Sequence, residues 1–257
     1  MSWLGRMAKH RIIPTLLTDG VSLVKGEQFK SWRTVGSVVA AARVFSMRDV
    51  DELALLDVRA TVEGRCISSA MVKSVAGCLS VPLAVGGGVK TLEDFEATLR
   101  AGADKVVIGT AAVRNLSFIS EAAQRFGAQA VVVSVDSLTD ESDVVAVEGG
   151  TVRVDKTPVE LAVEAVDAGA GEILLQSVSR DGMLRGMDLA AIRAVAAAVS
   201  VPVVASSGAG QYEHFLQAFE AGADAVAAGA MFQFTEQTPR GARNYLSQAG
   251  VAVRMAD

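Results

Sequence analysis

The chain has 257 residues, of which 51% are apolar, so it is long enough to bury a sizeable core. This length suits a single (β/α)8 barrel, for which about 250 residues is typical, and we expect one domain over residues 1–257. The formal net charge of −5 argues against a nucleic-acid partner, and the lack of a long apolar stretch near the start leads us to expect a cytoplasmic protein without a membrane partner.

Short apolar runs rich in β-branched residues alternate with alanine-rich amphipathic stretches, which indicates βα units around a parallel sheet. Strands are predicted near residues 11–17, 53–57, 81–86, 104–109, 129–136, 171–177, 201–206 and 224–229. Helices are predicted near residues 36–47, 67–78, 91–101, 117–126, 157–168, 188–199, 211–221 and 239–248. Thr91 with Asp94, and Thr157 followed by Pro158, are residue types that begin helices. This alternation predicts the α/β class and a (β/α)8 TIM barrel.

Two connections differ from the others. Residues 18–33 follow the first strand as a long polar segment, which we predict to be a loop and a candidate lid. Residues 144–154 follow the fifth strand, and their apolar character around Gly149 and Gly150 predicts a hairpin. The predicted hairpin would lie on the side of the barrel where active sites of this fold are found.

One sequence module occurs twice, at a constant offset of 120 positions. The first copy comprises residues 81–89, Phe95, residues 101–104 and residues 108–110, and the second comprises residues 201–209, Phe215, residues 221–224 and residues 228–230. The identical spacing indicates two fused half-barrels, roughly residues 1–127 and 128–257. The repeat also predicts a duplicated site for a ligand with two similar anionic ends.

The repeated module contains glycine-rich turns that predict two phosphate sites. Backbone amides at such turns and at helix starts bind phosphate because their N–H groups are unpaired and the helix dipole favours negative charge. The predicted phosphate-binding residues are Gly87, Gly88, Gly109 and Thr110 in the first site and Ser207, Gly208, Gly229 and Ala230 in the second. A single glycine-rich turn is more often structural, but two copies in matching register favour phosphate binding.

Aspartates follow several of the predicted strands. Asp136 ends an apolar run and is the strongest candidate for a general acid or base, because burial in a barrel mouth can tune its pKa. Asp181 and Gly182 follow the sixth strand and are candidates for ligand contact, with a plain turn as the alternative. Asp57 ends the second strand and can equally be a capping carboxylate.

Four charged residues stand at or just before strand starts, at the opposite end of the barrel. They are Arg11, Glu52, Lys105 and Glu172. Glu52 and Glu172 are 120 positions apart, so the repeat makes them pseudo-equivalent. The balanced charges predict a ring of ion pairs across the barrel floor. From the residues alone, a structural plug is favoured, because that face of the fold usually contributes to stability.

These residues lie in stretches that resemble the cyclase subunit of imidazole glycerol phosphate synthase over nearly the whole chain. The matching stretches include Arg11-Ile-Ile-Pro14, Val24-Lys25-Gly26, Thr61-Val-Glu-Gly-Arg65, Val85-Gly-Gly-Gly88, Gly102-Ala-Asp-Lys105, Gly169-Ala-Gly-Glu-Ile-Leu174, Arg180-Asp-Gly182 and Gly208-Ala-Gly210. The resemblance implies a heterodimer with a HisH-like glutaminase docked on the floor. Ammonia would pass through the barrel to a bisphosphorylated ribulosyl substrate. We expect no cofactor and no metal, and Cys66 and Cys78 are expected to be reduced thiols.

The resemblance also implies roles for individual residues. The four floor residues match the family's charged gate for ammonia, and Asp104 would face the glutaminase. Asp136 matches one of the family's two catalytic aspartates. Lys25 matches a lysine in the loop after the first strand, and we count it with the catalytic candidates.

The top of the barrel departs from the family at two positions. The other catalytic aspartate falls on Leu17, which cannot transfer a proton, and Gly109 replaces an asparagine beside the first phosphate site. Asp19 is a candidate substitute for the lost carboxylate if the strand continues, because side chains alternate along a strand.

Three functions are open at this stage. Leu17 favours a cyclase-like paralogue that supplies ammonia for amidation in surface-glycan (lipopolysaccharide) biosynthesis, and this is the main prediction. Asp136, Lys25 and the doubled phosphate site favour the alternative, a working cyclase of histidine biosynthesis. A barrel that binds a phosphorylated metabolite without catalysis is the third.

Overall fold

The computed structural model describes residues 9–48, 50–138 and 143–254. Strands within these ranges are β1 (Arg11–Thr18), β2 (Leu23–Glu27), β3 (Lys30–Gly36), β4 (Leu53–Asp57), β5 (Leu83–Gly86), β6 (Lys105–Ile108), β7 (Val131–Ser137), β8 (Val145–Val147), β9 (Val152–Val154), β10 (Glu172–Ser177), β11 (Val203–Ser206) and β12 (Ala225–Ala228). Helices are α1 (Val38–Ser46), α2 (Ser69–Ala76), α3 (Leu92–Arg100), α4 (Thr110–Arg114), α5 (Leu116–Phe126), α6 (Pro158–Asp167), α7 (Leu189–Ala198), α8 (Tyr212–Glu220), α9 (Ala230–Phe234) and α10 (Pro239–Gln248). No helix among them is long and apolar enough to cross a membrane.

Eight of the strands form a closed parallel barrel. The order of hydrogen-bonded neighbours is β1, β4, β5, β6, β7, β10, β11 and β12, and β12 returns to β1. Helices lie between consecutive barrel strands along the chain, so their apolar faces cover the outside of the barrel. The predicted (β/α)8 barrel is therefore confirmed, with each predicted barrel strand found within two residues of its expected bounds.

Local signals account for where several elements begin. Thr91 and Thr157 each form a capping box with the carboxylate three residues later, and Pro158 occupies the first turn of α6. β5 begins at Leu83 instead of at residue 81, because Pro82 has no amide hydrogen to give to the ladder.

The sequence repeat is reproduced in three dimensions. The bounds of β5 and β11, of β6 and β12, of α3 and α8, and of α4 and α9 each differ by the same 120 positions. Asp104 accepts a hydrogen bond from the amide of Leu83 at 2.8 Å, and Asp224 accepts one from Val203 at 3.0 Å. The two halves therefore have equivalent elements and equivalent loop contacts.

Each half-barrel carries a hairpin after its first strand. The hairpin predicted after β7 is confirmed as β8 and β9, although residues 139–142 before it lie outside the described ranges. The prediction of a loop at residues 18–33 was wrong, because β2 and β3 pair there as an antiparallel hairpin joined to the end of β1. Phe29 at the tip of this hairpin packs against the apolar cluster of Leu138, Ala146 and Val178, to which β8 contributes Ala146. The two hairpins thus meet beside the barrel mouth.

Side chains inside the barrel are arranged in layers. The four charged residues form the floor layer. Above them lies a small apolar layer made by Ile13, Ala54, Ala84, Val107, Val132, Leu174, Val204, Ala225 and Ala227. Four of these nine residues are alanines, although barrel interiors are usually filled by bulkier side chains. The interior is therefore thinly packed between the floor and the mouth.

Candidate active site

A cavity of about 390 Å³ occupies the mouth of the barrel, at the carboxyl ends of the strands. All eight residues predicted to bind phosphate line it, and so do Lys25, Asp136, Asp181, Gly182 and Leu17. The glycine-rich turns after β5 and β11 lie on different sides of the cavity because their strands are separated around the barrel by β12, β1 and β4. One cavity therefore contains both copies of the repeated module.

The first glycine-rich turn is tightly packed against the neighbouring β4–α2 loop. Gly88 has a φ of +66°, and a Cβ there would collide with the carbonyl oxygen of Arg65. A Cβ at Gly87 would lie 2.6 Å from the Cβ of Asp57. Because these positions have no side chains, the backbone of the turn can face the cavity directly. We call Gly87, Gly88, Gly109 and Thr110 the first cradle.

The second glycine-rich turn has serines at residues 206 and 207, where the first has Gly86 and Gly87. Ser207 has a φ of +75°, although the pseudo-equivalent residue of the first turn is Gly87. A serine in this left-handed region is strained, and such strain is often found at functional sites. Its hydroxyl donates to Asp181 at 3.3 Å. We call Ser207, Gly208, Gly229 and Ala230 the second cradle.

Lys25 connects the first hairpin to the second cradle. It lies on β2 and is buried, and its Nζ occupies the space that a Cβ at Gly229 would need. Burial lowers the pKa of Lys25 to about 8, although Asp181 opposes this shift. Burial raises the pKa of Asp181 to about 6, and Lys25 opposes that shift in turn. The two groups therefore form a coupled pair inside the cavity.

Asp136 is held by two polar side chains of the barrel interior. Its Oδ1 accepts hydrogen bonds from the hydroxyl of Ser134 at 2.7 Å and from the amide of Gln176 at 3.0 Å. Burial raises the pKa of Asp136, and the two hydrogen bonds oppose the shift. A buried carboxyl group with a raised pKa is suited to exchanging protons with a ligand.

The resemblance implies a second catalytic aspartate, and two positions, Leu17 and Asp19, show whether the cavity contains a carboxylate in its place. Leu17 lines the cavity, so an apolar side chain faces the ligand space where the resemblance implies an aspartate. Asp19 is outside the cavity lining, because β1 ends at Thr18 and the alternation that would have brought it inward stops there. Its carboxylate caps the turn by accepting from the amides of Val21 and Ser22. The strand does not continue beyond Thr18, so the condition under which Asp19 was expected to share a face with Leu17 is not met.

Several residues of the cavity were missed by sequence reasoning. Ser134 lies two residues before Asp136 on β7. Gln176 of β10 is the residue paired with Asp136 in the strand register. Ser134 could have been found from the sequence, because alternation along the predicted strand places it on the same face as Asp136. Gln176 could not, because its contact with Asp136 depends on the pairing of β7 with β10. Arg65 lines the cavity and forms an ion pair with the buried Asp57 at 2.6 Å. Asp57 also caps its loop by accepting from the amides of Arg59 and Ala60.

The four floor residues form the predicted closed ring of ion pairs. Arg11 contacts Glu52 and Glu172, both at 2.6 Å, and Lys105 contacts the same two carboxylates at 2.8 and 3.1 Å. Glu52 and Glu172 are 3% and 6% exposed. Burial alone would lower the pKa of Arg11, but Glu172 and Glu52 outweigh it and raise that pKa. Both cations come from the N-terminal half, so the ring breaks the two-fold repeat.

A small space lies between the floor ring and the mouth. Its volume is about 20 Å³, which is enough for one water-sized molecule. Glu52 and Glu172 line its lower side, while Val107 and Ala227 line both this space and the large cavity. Asp104 lies at the same end as the ring and is exposed, with one carboxylate oxygen bonded to the Leu83 amide.

The described residues contain no cluster of three or more His, Cys, Asp or Glu side chains that could hold a metal ion. Cys66 and Cys78 are both free thiols. Burial raises the pKa of Cys66, which disfavours its reactive thiolate form.

Comparison with known proteins identifies relatives of nearly equal length. Residues 11–238 match the family described as histidine biosynthesis protein. The HisF subunit of imidazole glycerol phosphate synthase from Anoxybacillus flavithermus is 45% identical over 252 residues, which cover 96% of this chain and 100% of the relative. The corresponding subunit from Pyrobaculum aerophilum is 45% identical over 248 residues, covering 95% and 98% of the two chains. That from Mycobacterium bovis is 42% identical over 252 residues, covering 95% and 94%.

Proposed function

Because the chain belongs to the histidine biosynthesis protein family and is a HisF-like barrel, we propose that it is the cyclase subunit of an imidazole glycerol phosphate synthase. The observation that carries this proposal is the single cavity with a glycine-rich cradle on either side and Asp136 between the strands that bear them. A ligand with a phosphate at each end can occupy both cradles and present its middle to Asp136. This was the alternative to the glycan-pathway role at the level of sequence, and the extent of the similarity supports it better.

Several of the cavity residues have a part in the proposed reaction. The backbone of the two cradles binds the phosphates, and Lys25 adds a positive charge beside Gly229. Asp136, with its raised pKa, transfers protons while the nitrogen of ammonia is incorporated into the imidazole ring. Asp181 raises the pKa of Lys25 against the larger effect of burial, and it accepts a hydrogen bond from Ser207.

The proposed source of nitrogen is a glutaminase bound at the floor. The name of the relatives describes them as one subunit of a synthase, which supports a second subunit here. The ring of four charges marks the entrance, and the thinly packed interior with its small space offers a path to the mouth. Asp104, exposed at the same end, is a proposed contact for the glutaminase.

A second candidate function rests on Leu17. With an apolar side chain at this position of the cavity, the chain could pass ammonia to a separate amidating enzyme of surface-glycan biosynthesis without cyclising anything itself. In this case the cavity would still bind its phosphorylated ligand.

The two candidates are separated by supplying the bisphosphorylated ribulosyl substrate to the purified chain with ammonium salt at alkaline pH, which makes a glutaminase unnecessary. We expect formation of imidazole glycerol phosphate, and its loss in Asp136→Asn. Substrate binding without product would contradict the cyclase proposal and support the second candidate.

The partnership is tested separately by titrating the chain with the HisH-like glutaminase of the same organism. We expect a one-to-one complex and faster glutamine hydrolysis. Absence of both would contradict the proposed heterodimer.

A further inference from the structure

The two cradles differ in the charged side chains beside them. The repeat relates Arg114, at the end of α4, to Phe234, at the end of α9. Arg114 lines the cavity beside the first cradle. Phe234 instead lies under the guanidinium of Arg33, which is 5.2 Å from its ring centre. The first cradle therefore has an arginine of its own, whereas the second has Lys25 from a hairpin.

The hairpin of β8 and β9 reaches the first cradle through Glu148. The Glu148 amide donates to the Thr110 hydroxyl at 3.0 Å, and the Glu148 carboxylate forms an ion pair with Arg114. Glu148 has a φ of +54° and is followed by Gly149 and Gly150, also at positive φ. A non-glycine residue keeps this conformation only where its surroundings hold it, and Glu148 has contacts with Thr110, Arg114 and the hydroxyl of Thr151, which donates to its carbonyl at 2.8 Å.

The ion pair between Arg114 and Glu148 is weak enough for a ligand to displace Glu148. The side chain of Arg114 is 65% exposed and that of Glu148 is 34% exposed, so solvent screens their attraction. A phosphate carries more charge than a carboxylate and fits the planar fork of a guanidinium with two parallel hydrogen bonds. Phosphate in the first cradle can therefore replace Glu148 on Arg114.

We propose that Arg114 is a phosphate-binding residue of the first cradle and that Glu148 competes with the ligand's phosphate for it. The inference rests on the proposed function only in taking the cradles to be phosphate sites. With Lys25 at one cradle and Arg114 at the other, the pseudo-symmetric cavity distinguishes the two ends of its ligand.

The test compares the two cradles within one molecule. Inorganic phosphate is titrated into the 15N-labelled chain, and the amide resonances of Gly88 and Gly109 report on the first cradle while those of Gly208 and Gly229 report on the second. We expect Arg114→Gln to weaken phosphate binding at the first pair about tenfold, as for loss of a charged hydrogen bond, and to leave the second pair within about twofold. Arg100→Gln is the control, because Arg100 is an exposed arginine on α3 that pairs with Glu96 and does not line the cavity.

Removing the competing carboxylate of Glu148 should have the opposite effect on phosphate binding to that of Arg114→Gln. Glu148→Gln should strengthen binding at the first cradle several-fold, and it should have no effect when Arg114→Gln is already present. Equal responses to Arg114→Gln and Arg100→Gln would overturn the assignment, as would weaker binding in Glu148→Gln. Folding of each variant is checked by retained dispersion of the amide spectrum.

The experiment also separates this inference from the proposed reaction. If the cyclase assay yields no product but Arg114→Gln still weakens the first cradle selectively, the inference stands and the reaction fails. If phosphate shifts neither pair of glycines, both the cradles and the inference are overturned.

Discussion

Lys25 and Asp181 lie together in the barrel mouth, and the pKa of each group moves toward neutrality. Burial is the main cause in both cases, because a buried charge loses its hydration. Burial also raises the pKa of Asp136, and the hydrogen bonds from Ser134 and Gln176 oppose this shift. Lys25 and Asp181 can thus change protonation between mildly acidic and mildly alkaline pH, and the pKa of Asp136 moves in the same direction as that of Asp181.

The coupling of Lys25 to Asp181 predicts the effect of removing the carboxylate. In Asp181→Asn the pKa of Lys25 should fall below about 8, because the Asp181 carboxylate is what raises it against desolvation. The Nζ and Cε resonances of Lys25 measure this pKa directly by NMR. Glu27→Gln is the control, since Glu27 is close in sequence but is not a cause of the Lys25 shift. An unchanged Lys25 pKa in Asp181→Asn would rule out the coupling.

The same two groups predict how stability depends on pH. Asp181 has a folded-state pKa of about 6 against an ordinary value of 3.8, so the folded chain binds more protons and the free energy of unfolding falls as pH rises through this window. Lys25 has a folded-state pKa of about 8 against 10.5, so its contribution rises with pH between those values. Denaturant unfolding at several pH values should therefore show a weaker decline between pH 4 and 6 in Asp181→Asn.

Leu17 predicts a gain of activity on substitution. Leu17→Asp should fold, because the side chain faces the cavity and its carboxylate can remain hydrated. If a second proton-transfer group limits the reaction, ammonium-dependent cyclase activity should rise about 100-fold. Leu17→Asn, which cannot transfer a proton in this way, is the control. Rapid turnover by the unmodified chain would show that a carboxylate at this position is not needed.

At the scale of elements, each of the two hairpins brings a charged side chain to one of the cradles. Each follows the first strand of a half-barrel, and each reaches a cradle on the opposite half: Lys25 reaches Gly229, and Glu148 reaches Thr110. The hairpins also meet, because Phe29 packs against the apolar cluster that contains Ala146 of β8. The hairpin of β2 and β3 is further attached to the loop after β10, where the Gln28 amide donates to the carbonyl of Asp181.

This attachment predicts a local effect of Phe29→Ala. Losing the ring removes the apolar anchor of the hairpin tip, so amide exchange of β2 and β3 should accelerate about tenfold while the barrel strands keep their protection. Hydrogen–deuterium exchange measures both regions in one experiment. Val21→Ala, which changes an 81% exposed residue in the turn between β1 and β2, should have little effect. Uniform acceleration across the barrel would mean that the hairpin is part of the global folding unit.

At the scale of the whole molecule, the barrel joins a charged floor to a polar mouth through a thin apolar layer. The floor ring combines two buried carboxylates with two partly exposed cations, and each group has two partners of opposite charge. Neutralising one carboxylate leaves two partly exposed cations with a single buried counter-charge, which is more costly than losing a surface pair.

The ring therefore predicts a large difference between two glutamate variants. Glu52→Gln should lower the free energy of unfolding by about 3 kcal/mol, because Arg11 and Lys105 must then share Glu172. Glu63→Gln, which loses exposed pairs with Arg59 and Arg65, should cost less than about 1 kcal/mol. Guanidinium unfolding of both variants checks the difference, and equal costs would show that burial of the ring contributes nothing.

Features encoded by local patterns were accessible from the sequence. Strands and helices follow from apolar periodicity and capping residues, and the repeat of 120 positions indicated both the half-barrels and the paired cradles. The floor ring could also be predicted, because residues at the starts of parallel strands must meet at one end of a barrel. Asp136 was placed in the mouth by the same argument from strand ends.

The partners of the cavity residues depend on contacts between distant segments, and only the tertiary structure decided them. Gln176 reaches Asp136 because β7 pairs with β10 in a particular register, and Glu148 meets Arg114 because a hairpin folds across the mouth. Asp19 fails to enter the cavity because the chain turns at Thr18 to begin a hairpin that the polar composition of residues 18–33 did not indicate. Local sequence determines which elements form, whereas the closure of the barrel determines which side chains share the cavity and so sets their pKa values and partners.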